Sequence, residues 1–340
     1  MLYSLARPLL FRLDAERAHR LTLDALDFAR AVGLSGLIAR TVPAAPVKIM
    51  GLEFPNRVGL AAGLDKNGDH IDALGALGFG FIEIGTVTPR PQPGNPAPRL
   101  FRLARARAII NRMGFNNDGV ERLVANVALA RYRGILGINI GKNFDTPIER
   151  AADDYVLCMR AVYARASYIT VNISSPNTAN LRQLQQAGDL ERLLDALARE
   201  RVALASTHGR RVPLAVKIAP DLATEDIDGM AALFISREID AVIATNTTLS
   251  REGVEGQPHA GETGGLSGAP LTKRATDVLR RLCAALAGRL PVIAAGGIMS
   301  AADARVKIAA GASLVQLYSG LVYAGPGLIA ETAQALRSSR

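Results

Sequence analysis

The segment Asn172-Ile173-Ser174-Ser175-Pro176-Asn177 places carboxamides on both sides of a hydroxyl at the end of the apolar run Tyr168–Val171. Carboxamides donate and accept hydrogen bonds, and a serine hydroxyl can move a proton. Such a cluster suits the binding and deprotonation of a polar planar molecule. Asn111, Asn139, Asn246 and Thr247 repeat this chemistry elsewhere in the chain. The set fits a ring bearing alternating carbonyl and N–H groups. Lys217 interrupts the apolar run Leu214–Ile218, where a buried ammonium is costly unless an anion meets it; a solvent-facing strand lysine is the alternative. Lys66 follows a turn, where an exposed loop lysine is an equally open reading. None of the four histidines, His19, His70, His208 and His259, falls in a strand-end cluster. Ser175 therefore lacks a histidine partner, and as a base it needs a sheltered site and a proton relay. No H-E-x-x-H or paired-carboxylate pattern occurs, so no metal is expected.

Eight short apolar runs carry these residues: Val58–Ala61, Phe81–Ile84, Leu136–Ile140, Tyr168–Val171, Leu214–Ile218, Ala241–Ala244, Val292–Ala295 and Leu314–Leu317. Helical patterns such as Leu190–Leu204, Thr224–Phe234 and Thr272–Leu286 separate most of them. This alternation predicts an α/β fold, a (β/α)8 TIM barrel. An open doubly wound sheet is the alternative, but no G-x-G-x-x-G follows the first strand. In a barrel the segments after the strands converge on one mouth. They include Ala61-Ala62-Gly63, Gly85-Thr86, Thr245-Asn246-Thr247, Gly296-Gly297 and Tyr318-Ser319-Gly320. Glycines after strands seven and eight, helped by Gly268, fit a phosphorylated cofactor whose phosphate approaches backbone N–H groups. Long insertions follow strand two (Pro89–Asn111), strand four (Asn177–Gln186) and strand six (Leu249–Leu271).

The 340 residues, 49% hydrophobic, are ample for a large core. The net charge of +9 comes without a like-charge block, aromatics are only 5% and tryptophan is absent. No nucleic-acid partner is expected. Cys158 and Cys283 lie far apart without a C-x-x-C and read as buried small residues in a reducing compartment. No run reaches the ~18 apolar residues of a spanning helix. Residues 1–45 read as two short amphipathic helices split near Asp14, then a Gly/Ser break and a Pro43/Pro46 linker to a domain over 46–340. Their leucine- and arginine-rich pattern fits either a hairpin packed on the main domain or a surface lying in a membrane interface.

The motifs GLAAGLDKNG (59–68), NRMGFNN (111–117), GINIGKN (137–143), VNISSPNT (171–178), VKIAPD (216–221), GGLSGAPL (264–271), AAGGI (294–298) and QLYSG (316–320) stand in order along the chain. With EIGTVTPRPQPGNPAPRLFRL (83–103) and ATNTT (244–248), they resemble class 2, quinone-linked dihydroorotate dehydrogenase over essentially the full length. The resemblance implies FMN in the barrel and oxidation of dihydroorotate to orotate in pyrimidine biosynthesis. Ser175 stands at the position of the base that removes the C5 proton, with the C6 hydride passing to flavin N5. Lys66, Asn111, Arg112, Met113, Gly114, Phe115, Asn172, Asn177, Asn246 and Thr247 fall at substrate positions. Ala61, Ala62, Gly63, Lys66, Thr86, Asn139, Asn172, Lys217, Thr245, Gly268, Gly297, Tyr318 and Ser319 fall at FMN positions. Phe115 and Thr178 flank the proton relay. His19 and Arg102 match quinone-access positions by their place in the chain; a surface histidine and a structural arginine are the alternatives. Residues 1–45 become the membrane-docking and quinone-entry element of a peripheral protein, on the cytoplasmic face of the inner membrane in a bacterium. Class 1 enzymes use a cysteine base and lack the extension. A soluble dehydrogenase using fumarate or NAD, or a non-catalytic flavin-binding scaffold, are the competing functions.

Overall fold

The computed structural model describes residues 2–337. Eight parallel strands close into a barrel in sequence order: β1 (Val58–Leu60), β2 (Phe81–Val87), β3 (Ile135–Ile140), β4 (Tyr168–Asn172), β5 (Leu214–Ile218), β6 (Ala241–Ala244), β7 (Val292–Ala295) and β8 (Leu314–Leu317). β8 pairs with β1 and β5 with β6, so no edge is left open. Each expected strand is present. β2 runs on past Ile84 to Val87 because Gly85 and Val87 still pair with β3, through a register shift. The expected helices are also present, with the Leu190–Leu204 pattern extended to Ala187–His208.

The barrel is filled, not hollow. At its lower end Phe54, Phe81 and Tyr168 are fully buried and meet edge to face, with centroids 5.2 and 6.4 Å apart. Two strand glycines make room for these rings. A Cβ at Gly59 would lie 2.2 Å from Phe81 Cζ, and one at Gly137 2.2 Å from Tyr168 Cζ. An antiparallel hairpin, Val47–Ile49 with Leu52–Phe54, closes that end.

The insertions after β2 and β6 meet over the other end. Leu100–Leu103 pairs with Ala108–Asn111, which pairs in turn with Gly265–Gly268. This antiparallel sheet roofs the barrel mouth and carries Asn111 and Gly268. The N-terminal helices pack beside the mouth. α1 spans Leu2–Leu10 and α2 Ala15–Ala31, split by Asp14. The Asp14 carboxylate caps α2 by accepting from the Glu16 and Arg17 amides at 3.0 and 2.9 Å. Ala18, Leu23 and Ala29 are buried, whereas Leu5, Leu9 and Phe28 are exposed. Among the described residues no helix is long and apolar enough to cross a membrane. Cys158 is fully buried and Cys283 partly so, and both thiols are free. Burial pushes the Cys283 thiol up to about 11.

Candidate active site

The loops that follow the barrel strands enclose a cleft. Ser175, Lys66, Lys217, Asn111, Asn172, Asn177, Asn246 and Thr247 line it, with Ala61, Ala62, Gly63, Thr86, Met113, Gly114, Phe115, Thr245, Gly268, Gly297, Tyr318 and Ser319. A parallel barrel delivers every strand's C-terminal end to one face, which is why residues from seven different loops meet here.

Hydrogen bonds fix which atoms face the cleft. Asn172 Nδ2 donates to Thr86 Oγ1 at 2.9 Å, Thr86 Oγ1 to Asn139 Oδ1 at 2.6 Å, and Asn139 Nδ2 to Glu83 Oε1 at 2.8 Å. Asn139 thus lies beneath the cleft rather than on its wall. Glu83 Oε2 also accepts from Tyr168 Oη, Thr170 Oγ1 and Gln316 Nε2 at 2.9, 3.1 and 2.8 Å. Glu83 is fully buried, and as a pure acceptor it orients this whole train of donors. Above it, Asn172 Oδ1 accepts from the Ser174 hydroxyl at 3.0 Å, and Asn246 Nδ2 donates to Ser174 Oγ at 3.0 Å. Across the mouth, Asn177 Nδ2 donates to Asn111 Oδ1 at 3.1 Å, while the Asn177 amide donates to Ser175 Oγ at 3.2 Å.

Lys217 is only 6% exposed and has no ion pair or hydrogen bond among the described residues. Burial lowers its pKa, while the Glu83 charge opposes that effect. Burial also lowers Lys66, to about 8, with the Glu16 carboxylate acting against it. The Tyr318 phenol, pushed up to about 12 by burial, donates to Gly63 O at 3.4 Å.

Two buried side-chain oxygens in the cleft, Thr247 Oγ1 and Gln316 Oε1, lack any partner among the described residues. The backbone amides of Gly296, Gly297, Ser319 and Gly320 likewise meet no protein acceptor among the described residues. Four free amides after β7 and β8 suit a phosphate, and the orphaned oxygens and Lys217 suit a polar, electron-rich ring. These residues fit FMN.

Arg112 turns out of the cleft. Its guanidinium donates to Glu262 Oε2 at 2.6 Å and Pro98 O at 2.8 Å and stacks over Phe101, tying the two insertions together. His19 lines a second, polar cavity with Glu16, Arg20, Lys66 and Met113, and burial pushes it down to about 4. Arg102 instead donates to Leu10 O at 3.0 Å and to Leu13 O, and lies 4.7 Å from the Phe11 centroid.

The family model for dihydroorotate dehydrogenase matches residues 44–339. A protein of Nitrosospira multiformis named dihydroorotate dehydrogenase (quinone) is 66% identical over 336 residues, covering 99% of this chain and 96% of the relative. One of Pseudomonas aeruginosa with the same name is 62% identical, covering 98% of each. The chain belongs to the quinone-linked dihydroorotate dehydrogenases. A DHODH of Eimeria tenella, solved with ferulenol, superposes with a TM-score of 0.85 at 37% identity, over 94% of this chain and 90% of the other. As a dihydroorotate dehydrogenase the protein is an oxidoreductase of pyrimidine biosynthesis, built on a TIM barrel.

Sequence reasoning passed over Glu83, Gln316 and Arg182. Glu83 and Gln316 interrupt apolar strand runs just as Lys217 does, so the same rule would have found both. Arg182 had no such signal. It donates to Ser174 O at 3.1 Å and Thr247 O at 2.8 Å and pairs with Asp221, locking the loops after β4, β5 and β6 together.

Proposed function

We propose that Ser175 is the base that removes the C5 proton of dihydroorotate in a site holding FMN, and that residues 1–45 bring a membrane quinone to that site. FMN, when bound, supplies the acceptor for the C6 hydride and hands the electron pair to the quinone. Everything else is asked of the chain's own residues. Asn111, Asn172, Asn177 and Asn246 hold the pyrimidine ring; the network that ends on Glu83 sets the amide polarity of Asn172 and Asn246, and the Asn177–Asn111 bond sets that of the other pair. Lys66 meets the substrate carboxylate, and Lys217 stabilises negative charge on the ring system beneath it. Ser175 is 6% exposed, so its proton needs an exit. Thr178 Oγ1, three residues on, is buried without a partner among the described residues, and Phe115 covers the approach. The single observation carrying this proposal is the convergence of the Ser175 hydroxyl, two lysines and the carboxamides over four unpartnered backbone amides.

For the N-terminal segment, support comes from the exposed leucines of α1 and from the arginines spread over both helices, a combination suited to an anionic membrane surface. That surface supports peripheral attachment of the protein to the membrane.

Purified protein is expected to show a flavin spectrum that bleaches on anaerobic addition of dihydroorotate and recovers with a ubiquinone analogue. Recovery with fumarate or NAD instead would overturn the quinone assignment, and no bleaching would overturn the substrate.

Orotate binding carries a pH signature. Below about pH 8 Lys66 is charged and attracts the ligand carboxylate; above it, the free protein must take up a proton to bind. Affinity is therefore expected to be flat from pH 6.5 to 7.5 and to fall up to tenfold per unit above pH 8. Titrations on Lys66→Met should be weaker and lose this decline. An unchanged decline would place the titrating group elsewhere.

A further inference from the structure

Lys307 is a buried charge that the reaction does not use. It sits on the helix Ala301–Ala309 that follows β7, and its side chain is fully buried. Its ammonium donates to two neutral oxygens, Thr276 Oγ1 at 2.8 Å and Thr272 O at 3.3 Å. No carboxylate pairs with it among the described residues. Asp303 on its own helix is engaged with Ser300 Oγ and the Met299 amide. Asp277 on the neighbouring helix is taken by Lys273 and Arg280, and Glu331 on the helix Gly327–Leu336 by Arg40. The neighbouring helix also carries Arg274 and Arg281, which pair with Asp221, Glu252 and Asp228, and Cys283, whose thiol is neutral over the range concerned. A buried ammonium whose hydrogen bonds go only to neutral acceptors is costly, and Asp303 and Asp277 offset that cost only through space, so a further anion nearby would stabilise it.

The place where an anion would sit lies one residue away. Thr272, whose carbonyl Lys307 holds, forms the back wall of Gly297. A Cβ on Gly297 would fall 2.2 Å from Thr272 Cα and 2.5 Å from Thr272 N, and Thr272 Oγ1 donates to Gly297 O at 2.7 Å. Gly297 adopts φ +73°, which turns its free amide, with that of Gly296, into the cradle after β7. A charge behind this wall is shielded from water and screened less than a surface lysine.

We infer that Lys307 is a phosphate-anchoring residue of the flavin site: it braces Thr272 against Gly297 and supplies, from behind the cradle, the positive charge that holds the FMN phosphate. This inference rests on the FMN site described above. It makes Lys307 a positioning residue that reads the phosphate and ignores the isoalloxazine.

The test compares FMN with riboflavin, which lacks the phosphate. Holoprotein is equilibrated with an excess of either flavin and diluted, and the released flavin is read by its fluorescence. Lys307→Gln keeps hydrogen-bond donors toward Thr272 and Thr276 and removes the charge. It should lower FMN affinity on the order of tenfold and leave riboflavin affinity unchanged. Equal losses for both flavins, or no loss for either, overturn the inference. Failure of the wild-type protein to retain FMN overturns the flavin site itself. Lys307→Met is the second variant, with the same expectation.

The wild-type protein gives an arm that needs no variant. Burial lowers Lys307 to about 8, while a phosphate monoester stays dianionic above its second pKa of about 6. The ratio of FMN to riboflavin affinity should therefore fall between pH 7.5 and 9.5. Lys66 and Lys217 face the ring, so their titration affects both flavins and cancels in the ratio. A ratio constant with pH overturns the inference.

Discussion

Ser175→Ala is expected to retain its flavin and bind orotate normally while turnover falls by roughly 10²–10⁴, the usual contribution of a positioned general base. The loop carrying Ser175 is held by other atoms. Tyr155 Oη donates to Asn172 O at 2.6 Å, and Arg182 bridges Ser174 O and Thr247 O. Removing one hydroxyl leaves these in place and costs only the bond accepted from the Asn177 amide. The loss should therefore appear in kcat for flavin reduction, with little change in orotate affinity. Stopped-flow reduction by dihydroorotate measures it directly. Reduction at the wild-type rate would show that another group takes the C5 proton, and Thr178, with its unpartnered buried hydroxyl, would be the next candidate.

Much of this site is legible in the sequence because a parallel barrel imposes a simple geometry. Each strand is a short apolar run, and whatever polar residues follow it must arrive at the same mouth. Ser175, Asn172, Thr245 and Gly297 could be placed together without knowing any contact between them. What stays hidden depends on contacts across the barrel or between insertions. Glu83 on β2 is joined to β3, β4 and β8 through Asn139, Tyr168, Thr170 and Gln316. Those links depend on the barrel's closure, which no local pattern encodes. Arg112 is similar. It lies in a stretch whose neighbours line the cleft, yet its own side chain is drawn away by Glu262, 150 positions later. Sequence spacing assigns a segment to the mouth, but the direction of each long side chain depends on partners that only folding brings near. The split of the N-terminal helices at Asp14 was legible for the opposite reason: an N-cap is a local device, and its acceptors and donors are adjacent in the chain.

Deleting residues 1–45 is expected to abolish membrane association and quinone reduction while flavin reduction by dihydroorotate persists at a reduced rate. The barrel should survive, since the hairpin Val47–Phe54 that seals its lower end remains and the apolar packing of Phe54 against Phe81 is untouched. Losses at the mouth are more specific. The pair Arg99–Glu16, 2.7 Å apart and largely shielded, disappears, as do the Arg30–Asp72 pair and the contact of His70 with Asp27. Arg102 loses the carbonyls of Leu10 and Leu13, and Lys66 loses the carboxylate of Glu16 that favours its charged form. Substrate binding should therefore weaken somewhat, most of all at alkaline pH. Because deletion mixes docking with packing, the sharper variant is Leu5→Glu with Leu9→Glu. Both side chains are exposed, at 73% and 64%, so the fold has no stake in them, yet two carboxylates on that surface oppose insertion at an anionic interface. Sedimentation with vesicles containing anionic lipid and turnover with a long-tailed quinone should both fall at least tenfold in the double variant. Turnover with a short, water-soluble quinone should be unchanged. Equal loss with the two quinones would mean that α1 serves the folded site itself, and unchanged vesicle binding would move the membrane contact to another surface.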